Sequence, residues 1–204
     1  MSVVLALLAG VALCGTGPGQ PACAGADAGW QQAITPTDLT RLHDWREAFV
    51  KALAEAKAAG HEQEVAAEGP LLDPDAAIDG AELPPGTYRC RTIKLGSQGD
   101  GGLGYVPYPS FDCRVGVEGT RTVFTKLNGS QRPTGTLYPP ATRRQVFLGV
   151  LVLGDETRAL SYGRDPERNM VGAVERIGPS RWRLVLPYPR FESTLDVIEL
   201  VPAS

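Results

Sequence analysis

Histidine is almost missing from this sequence: His43 and His61 are the only two in 204 residues. A serine or cysteine hydrolase needs a base beside its nucleophile. Residues 83–204 offer no imidazole, so that class would depend on His43 or His61 reaching in from a helix face or linker. A zinc-protease helix fails for the same reason. His61-Glu62-Gln63-Glu64-Val65 begins the motif, but the second histidine is not there. Long apolar runs are lacking too: Val3 to Leu13 is an 11-residue run, against the roughly 20 residues of a membrane-spanning helix. Lysine is scarce where basic residues are not, since residues 83–204 carry 16 bases of which only Lys94 and Lys126 are lysines. These bases show no clustered face with a stacking platform, so nucleic acid is not an expected partner.

The apolar run does have the length of a signal-peptide core. The small-residue patterns Ala22-Cys23-Ala24 and Ala26-Asp27-Ala28 follow it as cleavage sites, although no Lys or Arg precedes it. Residues 1–28 are therefore predicted to be a signal peptide, and the mature protein to be periplasmic or secreted, with no transmembrane segment left after cleavage. A lipid anchor through Cys14 or Cys23 is the alternative, poorly served by the bulky Leu13. Cleavage leaves Cys90 and Cys113, an even pair in an oxidising compartment, for which a disulfide is the default. Two metal thiolates would need two further ligands close by.

The remaining chain divides by charge and by pattern. Residues 1–82 hold 12 acids against four bases, and residues 83–204 hold 16 bases against 11 acids; the simplest consequence is that the two parts attract each other. Residues 29–82 are predicted as an N-terminal helix and acidic linker. Thr35 caps the helix, Pro36 takes its first position, and Leu39, Leu42, Trp45, Phe49 and Leu53 draw one apolar stripe over 36–59 before Gly60 stops it. Residues 83–204 are predicted as a β-barrel-like region forming one globular unit with 29–82. Strand patterns occupy 87–95, 111–117, 120–127, 132–138, 145–153, 157–162, 169–177, 181–186 and 193–201. No helical period separates them, so there is no βαβ unit. The expected fold is mainly β: an antiparallel up-and-down barrel or strongly curled sheet, with one N-terminal α-helix packed on it.

Several strings together resemble a known family: ITPTDLTRLHDWR, PPGTYRCRTIKLG, FTKLNGSQRP, VFLGVLVLGDE and VERIGPSRWRLVLPYPRFESTLDVIELVP. The sequence is similar to exported bacterial proteins, common in alphaproteobacteria, known only as a domain of unknown function. The resemblance runs over about residues 30–202. It implies export and a single domain, and brings no catalytic residue with it. The closing Trp-x-Leu-x-Leu strand and its successor are also loosely like the barrels of periplasmic protease inhibitors, an analogy of fold alone.

Chemistry is correspondingly sparse. Residues 99–104 spell GxGxxG after a predicted strand, but Tyr105-Val106-Pro107-Tyr108-Pro109 cannot open the helix that a dinucleotide site requires. No catalytic residue, metal ligand or cofactor is assigned. The cluster with most promise mixes signs: Arg132, Arg144, Asp155, Asp165 and Arg168, with Lys126, Glu156 and Arg164 nearby. Arginine forks suit carboxylate or phosphate groups, and an internal ion-pair lattice is the plainer reading of the same residues. Aromatic residues at 105–111 (Tyr105, Tyr108, Phe111) and 182–191 (Trp182, Tyr188, Phe191) either line a ligand mouth or fill core and loops. The expectation is an exported, non-enzymatic, monomeric binding module for a small molecule or an envelope protein. Arg132, Arg144, Asp155, Asp165 and Arg168 are its candidate contacts for a small anion at one barrel end. A periplasmic hydrolase inhibitor or other protein-interaction barrel is the alternative. A carboxylate-dependent hydrolase stands third.

Overall fold

A computed structural model describes residues 29–99, 102, 104–140 and 143–203. The expected signal peptide lies outside the described residues, as do parts of the glycine-rich 99–104 segment. Four helices come first: α1 (Trp30–Ala33), α2 (Pro36–His43), α3 (Trp45–Ala58) and α4 (Glu62–Ala67), followed by a 3-10 turn, Gly69–Leu71. Eight strands follow: β1 (Gly86–Leu95), β2 (Tyr105–Glu118), β3 (Arg121–Lys126), β4 (Gln131–Leu137), β5 (Gln145–Leu153), β6 (Asn169–Gly178), β7 (Arg181–Pro187) and β8 (Leu195–Pro202). Each pairs antiparallel with the next, and β8 returns to β1, so the sheet is a closed up-and-down barrel. Closure leaves no strand edge to pair with another chain.

Strict alternation sorts the strands' side chains. Tyr88 and Cys90, Cys113 and Val115, Phe124, Phe147, Val174, Leu184 and Leu200 point inward and fill most of the interior. Cys90 and Cys113 are joined there as a disulfide between β1 and β2, with Cα atoms 5.9 Å apart. The opposite face of β1, β7 and β8 is apolar as well: Ile93, Leu95, Val185 and Val197 pack under Ala48, Phe49, Ala52 and Ala56 of α3. Three alanines on that helix face let its backbone come close to the sheet. Between β4 and β5 the barrel turns a tight corner. Gly135 faces Gly149, and a Cβ on Gly149 would stand 2.3 Å from the Thr134 carbonyl oxygen.

Several expectations differ in detail. The strand expected from residue 111 begins earlier, at Tyr105, as β2. The single helix over 36–59 is broken at Asp44, which ends α2 and begins α3. The break lets α2 lie on β6 while α3 lies on β7, β1 and β8, following the curve of the barrel. The cap at Thr35 is as expected: its side chain accepts from the Asp38 N–H, and Asp38 accepts from the Thr35 hydroxyl at 2.9 Å. Residues 157–162 are not a strand but part of the connection between β5 and β6. That connection instead builds turns, with Asp165 Oδ1 accepting from the Glu167 N–H at 3.0 Å. Ser161-Tyr162-Gly163 has a polar partner elsewhere, since Tyr162 bonds to Asp38.

Candidate functional site

An up-and-down barrel gathers alternate connections at the same end. The β1–β2, β3–β4, β5–β6 and β7–β8 connections share one end, and there the packed interior stops short of the rim. The space left is a cavity of about 160 Å³, open on one side. Leu151, Met170 and Ile198, from the apolar core, are its floor. Tyr108 and Phe191, each more than a third exposed, stand at its rim. An engineered apolar cavity of about 150 Å³ holds benzene, so this one has room for roughly six non-hydrogen atoms. A wider depression beside the turn after α3, lined by Lys57, Gly60 and Glu62 among others, is shallow and open to solvent.

The wall of the cavity is charged, because three strands carry an ionisable residue on their inward face. Lys94 follows Cys90 by four positions on β1, Lys126 follows Phe124 by two on β3, and Asp196 precedes Ile198 by two on β8. All three are buried. The Lys94 Nζ lies 2.8 Å from Glu192 Oε2 and 3.7 Å from Asp196 Oδ2. Burial opposes its charge, but the Asp196 charge and the Glu192 hydrogen bond outweigh burial and hold its pKa above the ordinary lysine value. The buried Asp196 carboxyl is pushed upward by that burial even though Lys94 and Ser193 stabilise its charged form. The Ser193 hydroxyl donates to it at 2.5 Å.

Lys126 is the exception. Its Nζ donates to the Gln131 carbonyl oxygen at 2.9 Å and lies 3.6 Å from the centre of the Phe111 ring. Among the described residues no carboxylate pairs with it, while every other charged side chain on the cavity wall has an opposite partner: Lys94 with Glu192 and Asp196, Arg168 with Glu156, and Arg190 with Glu167. Burial, then the charges of Arg132 and Lys94, lower its pKa to about 8.

Of the residues singled out in sequence, Arg168 lines this cavity. It grips Glu156 with both guanidinium nitrogens, at 3.0 and 2.6 Å, and also donates to the Leu151 carbonyl. That fork, with the Leu153 N–H, holds the Glu156 carboxyl down at about 2. Arg132 sits at the same end, on the outer face of β4. It donates to the carbonyls of Gly129, Gly154 and Glu156, tying the β3–β4 turn to the β5–β6 connection. Asp155 is exposed at that end, and Asp165 caps a turn there. Arg144 precedes β5 and is therefore at the opposite end, where it binds Glu175 at 2.6 Å and covers the Trp45 ring. Three aromatic candidates line the cavity, Tyr108, Phe111 and Phe191. Tyr105 and Tyr188 pack with the helices, and Trp182 fills the barrel.

Sequence reasoning passed over Lys94 and Asp196, and placed Lys126 only beside a mixed-charge cluster. The signal was their parity: each shares a strand face with residues of the core. A charge on a core face is an expensive choice, which makes these positions candidates for a site.

Residues 30–200 match the sequence model of the family described as Domain of unknown function (DUF4893). No curated protein and no solved structure matches the chain.

Proposed function

The chain belongs to this family of domains of unknown function, so its role has to be read from its own geometry, and we propose that it is an exported, non-enzymatic binding module taking a small anionic ligand in the open barrel mouth. The observation that carries this reading is Lys126. With a pKa of about 8 it is still mostly protonated at neutral pH. A buried charge without a counterion costs several kcal/mol, and a carboxylate or phosphate entering the mouth would relieve that cost. Tyr108 and Phe191 at the rim offer apolar flanks for the rest of the ligand. Arg132, bonded to backbone carbonyls, adds positive charge at the same end, whereas Arg168 is neutralised by Glu156 and Arg144 is at the opposite end.

The test is thermal unfolding against a series of small anions (inorganic phosphate, acetate, short dicarboxylates) in low chloride. A ligand at a hundred times its Kd stabilises by about 2.7 kcal/mol, so a saturable rise in Tm is expected, lost in Lys126→Gln. If no anion moves the wild-type Tm, the ligand reading fails. The inhibitor alternative then leads, supported by Leu127, Tyr108 and Phe191, which are exposed at this same end. The hydrolase reading has least support: Glu192 and Asp196, two carboxyls that meet in the mouth, share Lys94 as a counterion.

Export rests on the apolar run and small-residue sites of residues 1–28, and the disulfide and the lack of a membrane-spanning helix among the described residues are compatible with it. A mature N-terminus at Gly25 or Gly29 is expected by intact mass on protein from the envelope fraction. Unprocessed chain in the cytoplasm would count against it.

A further inference from the structure

We propose that Lys126 captures a small 2-oxo acid as a reversible imine, its Nζ bonding to the keto carbon while the adjacent carboxylate occupies the positive field of the mouth. The proposal rests on the reading of the mouth as an anion site and adds a covalent step to it.

The geometry separates Lys126 from the other lysines. An ammonium has three N–H groups and no lone pair, and a neutral amine has two N–H groups and one lone pair. At Lys126 one N–H is taken by the Gln131 carbonyl, and among the described residues no carboxylate holds the charged form. Lys126 lines the cavity, with its nitrogen over the Phe111 ring. Lys94 lines the same cavity but is held in its charged form by Glu192 and Asp196. It therefore acts as the neighbouring cation that disfavours a second charge, an arrangement that makes a buried lysine nucleophilic near neutral pH. The pKa of about 8 fits this division of roles. Size fits as well: the smallest 2-oxo acids have about five or six non-hydrogen atoms, which is what the cavity admits.

The step balances without an outside oxidant or reductant. The amine lone pair attacks the keto carbon, and the carbonyl π pair moves to oxygen, which takes a proton. The nitrogen then loses a proton to give the neutral carbinolamine. Its hydroxyl takes up a proton from solvent and departs as water while the nitrogen lone pair forms the C=N bond, which gives the protonated imine. Loss of that last N–H proton to solvent gives the neutral one. Net, one amine and one ketone give one imine and one water, which leaves through the open mouth. In its protonated form the imine keeps a positive charge beside the ligand carboxylate, so the ion pair missing in the free protein forms within the adduct.

The experiment uses the full chain with glyoxylate or pyruvate and cyanoborohydride at about pH 7.5, followed by digestion and mass spectrometry of the four lysines, Lys51, Lys57, Lys94 and Lys126. An amine with a pKa near 8 is neutral far more often at this pH than an ordinary lysine, so reduced adduct is expected at Lys126 at least about tenfold faster than elsewhere. Excess acetate should slow it, and Lys126→Arg should remove it. Even labelling across the four lysines, or none at Lys126, overturns the imine. If phosphate and acetate still raise Tm through Lys126 in that case, the anion site stands and only the covalent step is lost. Because Lys94 serves as internal reference in the wild-type protein, the comparison does not depend on a variant folding.

Discussion

At the scale of single residues, the molecule puts its unusual choices where core and mouth meet. Lys126 has a cost that can be measured. Burial and the charges of Arg132 and Lys94 lower its pKa to about 8 in the folded state, against about 10.4 in an unfolded chain. The unfolded state thus binds this proton more tightly, and stability rises with pH from about 8 to about 10.4. Below pH 8 the full penalty applies, about 2 kcal/mol once solvent at the open mouth is allowed for. Lys126→Met, which keeps length and drops charge, is expected to raise stability at pH 7 by about that amount. It should also flatten the rise between pH 8 and 10, as followed by urea unfolding at several pH values. An unchanged pH profile would mean that the ammonium is well solvated. The same scale shows why the site was only half legible in sequence. Arginines are conspicuous in the string and drew attention to Arg132 and Arg144. Those two are tied to backbone carbonyls and to Glu175, roles that depend on neighbours no local pattern reveals.

At the scale of elements, alternation carried most of the information. Cys113 and Val115 were visible as one face of β2, and that face is the barrel interior. The strand reading failed at 157–162, where Tyr162 serves as a hydroxyl donor to α2 and a helix partner cannot be inferred from strand propensity. The helix stripe was legible, but its break at Asp44 was not, because curvature belongs to the surface beneath and not to the helix. The β1–β2 disulfide is the element-level device with the clearest consequence. It closes a separation of 23 residues, for which the chain-entropy model gives about 3 kcal/mol. With both sulfurs inside the barrel, Cys90→Ser combined with Cys113→Ser also buries two hydroxyls among apolar side chains. A fall of several degrees in Tm is expected, with the far-ultraviolet circular dichroism of a β protein retained. Loss of that spectrum at room temperature would mean that β1 and β2 cannot hold their pairing without the bridge.

At the scale of the whole molecule, closure and the helical belt set the shape, and both depend on long-range pairs. Glu199 on β8 takes Arg91 from β1 and Arg181 from β7, bracing the seam where the barrel closes. The belt is fastened at Asp38. Its buried carboxylate accepts from Arg41 at 2.8 Å, from Thr35 at 2.9 Å, from the Tyr162 hydroxyl at 2.7 Å and from the Asn169 amide at 3.2 Å. Asn169 also lines the cavity at the mouth, so the clasp joins the N-terminal helices to the wall of the mouth. Asp38→Ala leaves the Arg41 guanidinium without its carboxylate and is expected to cost about 3 kcal/mol. Tyr162→Phe removes the hydrogen bond to that carboxylate and also the acceptor of the Thr35 N–H, and should cost about 1–2 kcal/mol. The two differ in what they do to the mouth. Losing Asp38 removes one of the two hydrogen bonds that hold the Asn169 side chain, the other being from the Gly163 N–H. Binding of a stabilising anion should therefore weaken several-fold in Asp38→Ala and hold steady in Tyr162→Phe. Calorimetric titration of both variants at a temperature where each is folded separates the outcomes. If Asp38→Ala lowers stability and leaves anion affinity untouched, the belt is only a staple on the barrel. If affinity falls with Asp38 and not with Tyr162, the helices help to shape the site they do not touch.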